Sequence, residues 1–108
     1  MTQRILAAGA DWLRRGVFLV ALFVAPAVAQ TSQIDAGARV YARNCAPCHG
    51  VRMRDPEGAF DLRKFPRDNR DRFVSSVLNG KGQMPPWNGL LSPEEVEQVW
   101  SYVLEGEK

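Results

Sequence analysis

The sequence predicts an all-α fold in a single small domain, and three observations carry that prediction. Apolar residues recur at three- and four-residue spacing in three separate segments. No segment alternates like a half-buried strand, and no repeat is visible. The chain has 108 residues, which limits it to one domain and excludes a multidomain enzyme, a repeat array or a polytopic transporter.

The first 29 residues read as an address rather than a fold. Arg4, Arg14 and Arg15 precede the uncharged apolar run Val17–Ala25. Pro26 breaks the run, and Ala27-Val28-Ala29 is a small-x-small cleavage site. Gly16 to Ala29 is 14 residues, short of the roughly 20 needed to span a bilayer. The expectation is a cleavable secretory signal over 1–29, an uncleaved anchor being the alternative, and a mature domain over 30–108 without a membrane span.

The whole chain carries 14 Lys/Arg and 12 Asp/Glu, net +2, too mild for nucleic-acid binding. Removing residues 1–29 takes away three Arg and one Asp, leaving 11 of each sign. The remainder is polarised: ten basic and five acidic residues lie between Arg39 and Lys81, and five acidic residues and one basic follow from Glu94. A solvated surface is one reading and a steering dipole the other.

The first helix is expected from about Gln33 to Cys45, with Ile34, Ala38, Tyr41 and Ala42 on its buried face. Gly37 inside it costs about 1 kcal/mol against Ala, which a close helix crossing would explain. The second helix is expected over Asp68–Asn79, burying Phe73, Val74, Val77 and Leu78 and ending at Gly80. The last has the clearest start. Ser92 is the N-cap, Pro93 occupies N1 and Glu95 completes a capping box, while Leu91 and Val96 form a hydrophobic staple. Val96, Val99, Trp100, Val103 and Leu104 make its apolar face, and Gly106 stops it. The loops Gly50–Arg67 and Gly80–Leu90 are long for so small a domain and are expected to wrap something or carry function.

So small a core usually needs a staple. Both cysteines and the single histidine fall in Cys45-Ala46-Pro47-Cys48-His49. This is C-x-x-C-H, the attachment motif of c-type haem. Residues three apart on a helical turn share a face, so Cys45 and Cys48 can reach two vinyl groups on one porphyrin edge, and His49 then meets the iron from the same side. The chain's Cys and His alone are too few for a zinc site or a disulfide-rich scaffold. A thioredoxin-like dithiol would call for a nearby parallel sheet. A disulfide within the motif would close a very small ring.

For the sixth iron position there is no second His. Met53 follows His49 by four residues, too close to reach the opposite face. Met84, in Gly80-Lys81-Gly82-Gln83-Met84-Pro85-Pro86-Trp87, is held extended by Pro85. Gly80 and Gly82 let that backbone pass close to a flat ring. A Met that merely packs in a loop is the alternative. Met/His ligation raises the potential relative to bis-His and closes the iron to substrate, which points to a carrier and not an enzyme.

Taken together, Gly37-x-x-x-Tyr41, Cys45-x-x-Cys48-His49, Met84-Pro85 and Val99-x-x-Tyr102 resemble the small bacterial class I c-type cytochromes. The resemblance covers nearly all of residues 30–108 and implies one covalent haem c, with Cys45 and Cys48 as attachment points and His49 and Met84 as axial ligands. It also implies a steep crossing of the first and last helices through Gly37. In that family a proline carbonyl often accepts the His Nδ1–H. Here Pro56 and Phe60 are the candidates, Phe60 standing nearer the usual place. Trp87 and Phe60 either shield the haem or serve as core aromatics.

Haem attachment outside the cytoplasm makes the periplasm the expected location and unfolded export the expected route. The segments around Asp61–Pro66 and Gly80–Trp87 are similar to cytochromes that accept electrons from periplasmic quinoprotein alcohol dehydrogenases. The expected role is therefore a monomeric one-electron shuttle between a dehydrogenase and an oxidase or another cytochrome. The rival is a haem-based binding or sensing protein with an open or displaceable sixth position.

Overall fold

A computed structural model describes residues 25–105 and 107. The expected signal, apart from residues 25–29, lies outside the described residues, as does the expected helix stop at Gly106. Among the described residues the chain is helical. It comprises α1 (Ala25–Asn44), α2 (Ala46–His49), two 3-10 turns (Val51–Met53 and Leu62–Lys64), α3 (Arg70–Asn79) and α4 (Pro93–Glu105). Isolated bridges at Lys81–Met84 and Asn88–Leu91 are the only β pairing among them. No helix among the described residues is long and apolar enough to cross a membrane.

The fold turns on the crossing of α1 and α4. Gly37 is buried, and a Cβ there would run into the Gln98 carbonyl and lie 3.0 Å from the Tyr102 Cβ. Only glycine lets the two helices meet, so its propensity cost supports the fold. One turn on, the rings of Tyr41 and Tyr102 stack at 5.1 Å and 45°. The expected crossing through Gly37 is therefore present, with Tyr102 as partner.

Two details of α1 differ from expectation. It starts at Ala25, well before Gln33, and runs through Ala27-Val28-Ala29. Its buried face uses Val40 beside Tyr41, whereas Ala42 is exposed. The crossing rotates the helix so that the larger side chain meets the core, a tertiary preference that periodicity does not contain.

The α4 start is as expected. Ser92 N–H donates to Glu95 Oε1 at 3.0 Å, and Glu95 N–H to Ser92 Oγ at 3.1 Å. Leu91 and Val96 are both buried, as the staple requires. The α3 helix begins at Arg70, two residues later than expected, because the Asn69 side chain is its cap and accepts from Arg72 N–H at 3.2 Å. The core joins Val40, Tyr41, Phe73, Val77, Val96 and Val99 with Trp100 and Val103.

The two charged halves fold onto each other. Arg70 pairs with Glu97, Arg67 reaches Glu105 and the Leu104 carbonyl, and Arg52 grips Glu107 at 2.7 Å. The acidic end of the sequence thus offsets part of the basic stretch, and the sequence dipole is partly neutralised in space.

Candidate functional site

Cys45 continues the end of α1, its N–H donating to the Tyr41 carbonyl at 2.8 Å. The chain then makes a single helical turn. The Cys45 carbonyl accepts both the Cys48 N–H, at 3.2 Å, and the His49 N–H, at 2.9 Å. Pro47 lies in the first turn, where its missing N–H is harmless. This turn puts Cys45, Cys48 and His49 on the wall of one cavity of about 640 Å³.

Gly50 ends the turn at φ +89°, with the Arg54 carbonyl in the space a Cβ would need. Tyr41 Oη–H donates to the Gly50 carbonyl at 2.6 Å and ties α1 to this exit. Burial pushes the Tyr41 hydroxyl up to about 12. The following residues carry Met53 into the core, 2% exposed and away from the cavity lining.

His49 Nδ1 lies 3.0 Å from the Phe60 carbonyl oxygen. A carbonyl can only accept, so Nδ1 carries the proton and a neutral ring keeps its lone pair on Nε2, ready for a metal. Of the two candidate acceptors, Phe60 makes the contact, while the Pro56 carbonyl accepts from the Gly58 N–H at 2.8 Å. The Phe60 ring is 51% exposed and meets Phe65 edge-on at 6.2 Å.

Met84 lines the same cavity as His49. Its loop is braced at several points. Met84 and Lys81 exchange N–H···O bonds at 3.0 and 3.1 Å. Gly80, at φ +76°, leaves room for the Met84 carbonyl and for Pro85-Pro86, which a Cβ would strike. Beyond the loop, the N–H groups of Trp87 and Asn88 satisfy the carbonyls of Val77 and Leu78 at the end of α3. Gly80 therefore serves the turn itself. Trp87 packs against the core and also lines the cavity.

The remaining walls include Leu62, Phe65, Phe73, Val77 and Val99. Cys45 and Cys48 are not joined to each other, and burial, with Cys48 nearby, pushes the Cys45 thiol up to about 11. Among the described residues no cluster of three or more His, Cys, Asp and Glu is placed to hold a bare metal ion. The donor set comprises one imidazole with a free Nε2, one thioether and two thiols in an apolar cavity. These residues fit a metal carried by a flat apolar cofactor. Arg72, on the cavity wall with its guanidinium over the Phe65 ring, escaped the sequence reading, since nothing in its spacing distinguishes it from other surface arginines.

The family model described as cytochrome c oxidase, cbb3-type, subunit III matches residues 32–103. A cytochrome c6 from Nostoc sp. is 36% identical over 76% of this chain and 77% of its own length. A second, from Leptolyngbya boryana, is 37% identical over 65% of this chain and 88% of its own. The quinohemoprotein alcohol dehydrogenase ADH IIB of Pseudomonas putida is 35% identical over 76% of this chain, which corresponds to 12% of that enzyme. No solved structure gives a significant match. The chain belongs to the cytochrome c family, as a small class I c-type cytochrome. Its cofactor is a single haem c, and it is an electron carrier rather than an enzyme.

Proposed function

We propose that this cytochrome is an exported shuttle in which Cys45 and Cys48 would hold the haem through thioethers, and His49 and Met84 would ligate its iron. The observation that carries this reading is the meeting of all four side chains on one apolar cavity. The bound haem supplies a one-electron couple. The chain's own residues do the rest. The Phe60 carbonyl orients His49, the braced loop presents Met84, and the apolar walls keep water away.

Residues 1–29 act as a cleaved secretory signal, and the mature protein works in the periplasm. The resemblance to part of a quinohemoprotein alcohol dehydrogenase supports a periplasmic dehydrogenase as electron donor. An oxidase or another cytochrome is the acceptor.

Mass and visible spectra of protein matured in a bacterial periplasm test these statements together. The expected result is a chain beginning at Gln30, one haem heavier than the polypeptide, with a weak far-red ferric band from sulfur ligation. A colourless mature protein would overturn the haem assignment. Carbon monoxide binding by the reduced wild-type protein would replace the shuttle with a ligand-binding role.

A further inference from the structure

Asp61 sits one residue beyond the carbonyl that faces His49. The Phe60 oxygen and the Asp61 nitrogen belong to one planar peptide unit, so whatever fixes Asp61 also fixes where that oxygen points. Asp61 is held from two directions. Its Oδ1 accepts the Arg63 N–H at 3.0 Å and caps the 3-10 turn Leu62–Lys64, while the Lys64 N–H donates to the Asp61 carbonyl at 3.0 Å. The Arg63 guanidinium then closes on both carboxylate oxygens, Nε on Oδ1 at 3.0 Å and Nη2 on Oδ2 at 3.1 Å. A planar fork on a carboxylate restricts rotation of the side chain as well as pairing its charge. Arg63 also holds the Asp61 carboxyl below the usual carboxylate range, so the cap is ionised at neutral pH.

The capped turn is anchored in its turn. Phe60, Leu62 and Phe65 line the haem cavity, whereas Asp61 between them is not part of the lining. Phe65 is gripped edge-on by Phe73 at 5.7 Å and by Trp100 at 5.9 Å. The Asp61 side chain is only 19% exposed, yet its partners all belong to its own turn. A carboxylate placed in this way serves backbone geometry, and the backbone oxygen next to it is the one on His49 Nδ1.

We propose that Asp61 is a positioning residue for His49: by capping the Leu62–Lys64 turn it keeps the Phe60 carbonyl on Nδ1, and through that bond it tunes the donor strength of the imidazole. This role rests on the haem reading above, in which His49 ligates the iron. A carbonyl held on Nδ1–H makes the ring a stronger donor, which favours the oxidised iron and lowers the reduction potential.

The test compares haem-loaded wild type with Asp61→Ala, Asp61→Asn and Asp61→Glu. Two quantities are read: the exchange rate of the His49 Nδ1 proton in the reduced protein, by NMR, and the reduction potential. Losing a cap makes opening of its turn about 2- to 30-fold more frequent, so Asp61→Ala is expected to speed exchange by that factor and to raise the potential. Asn caps as well as Asp but carries no charge. Asp61→Asn is therefore expected to exchange at the wild-type rate, with a potential closer to wild type than to Asp61→Ala. Asp61→Glu keeps the charge but not the short reach of the cap. Should Asp61→Ala fold poorly, Asp61→Glu is expected to show the same faster exchange and raised potential. A wild-type value of either quantity in the variant lacking the cap would overturn the proposal, as would an Asp61→Asn protein displaced as far as that variant. A wild-type protein that matures without haem would instead overturn the reading on which this role rests.

Discussion

The His49 imidazole is oriented by the main chain of Phe60, whose carbonyl oxygen lies 3.0 Å from Nδ1. The acceptor is a backbone atom, so side-chain substitution leaves it in place. Phe60→Ala is expected to keep the visible spectrum of the haem protein unchanged. It should cost about 0.5–1.5 kcal/mol from the lost contact with Phe65. Deleting Gly58 shifts the carbonyl out of register and is expected to change the spectrum. Absorption spectra and chemical denaturation of the two variants check the pair of outcomes.

The ligand assignment makes the two axial positions unequal. Met84→Ala is expected to retain covalent haem while the reduced iron gains affinity for carbon monoxide and loses the far-red ferric band. His49→Ala is expected to impair haem incorporation much more severely, because it would remove the proposed ligand next to the proposed attachment points. Haem stain and mass on the purified chains distinguish the two.

Gly37→Ala places a methyl group where the Gln98 carbonyl now lies. Backbone cannot step aside as a flexible side chain can, so α1 and α4 must separate. Overpacking of this kind costs about 1–3 kcal/mol, and a backbone clash belongs at or above the upper end. A lowered denaturation midpoint with haem still attached is the expected result.

Removing the reciprocal cap at the start of α4 acts on the same helix more gently. Ser92→Ala is expected to cost about 0.5–2 kcal/mol, read from equilibrium denaturation.

Two tyrosines set the alkaline limit. Burial pushes the Tyr41 and Tyr102 hydroxyls up to about 12, the Glu107 carboxylate adding to the effect at Tyr102. An unfolded tyrosine titrates near about 10. Between these values the folded chain keeps protons that the unfolded chain releases, so raising the pH favours unfolding. The contribution is complete below about 10 and is lost as pH rises through about 12. Tyr102→Phe is expected to flatten part of that decline in a series of denaturation midpoints.

The parts of the fold that could be read from sequence were those set by local chemistry. Ser92 and Glu95 announce a helix start because both partners lie within one turn. The C-x-x-C-H spacing announces its own geometry for the same reason. Gly37 signalled that something crosses there, but the Gln98 carbonyl that fills the space is 61 residues away and leaves no periodic trace. Val40 replaced Ala42 on the buried face because the crossing angle, not α1 itself, decides which side looks inward. The Arg52–Glu107 clamp was equally invisible, spanning 55 residues between an exposed arginine and a half-buried glutamate. The Phe60 carbonyl was one of two possibilities because every residue has a carbonyl, and only the path of the loop selects one.

The loop bearing Met84 has both feet planted on α3, through Gly80 at one end and the Trp87 and Asn88 amides at the other. A span anchored in this way behaves as a bracket, not a flap, and its tip stays at one height whatever charge resides beneath it. With Met84 on the iron, as proposed, each gain or loss of an electron would involve little rearrangement of the surrounding atoms, and traffic through the protein would be fast in both directions.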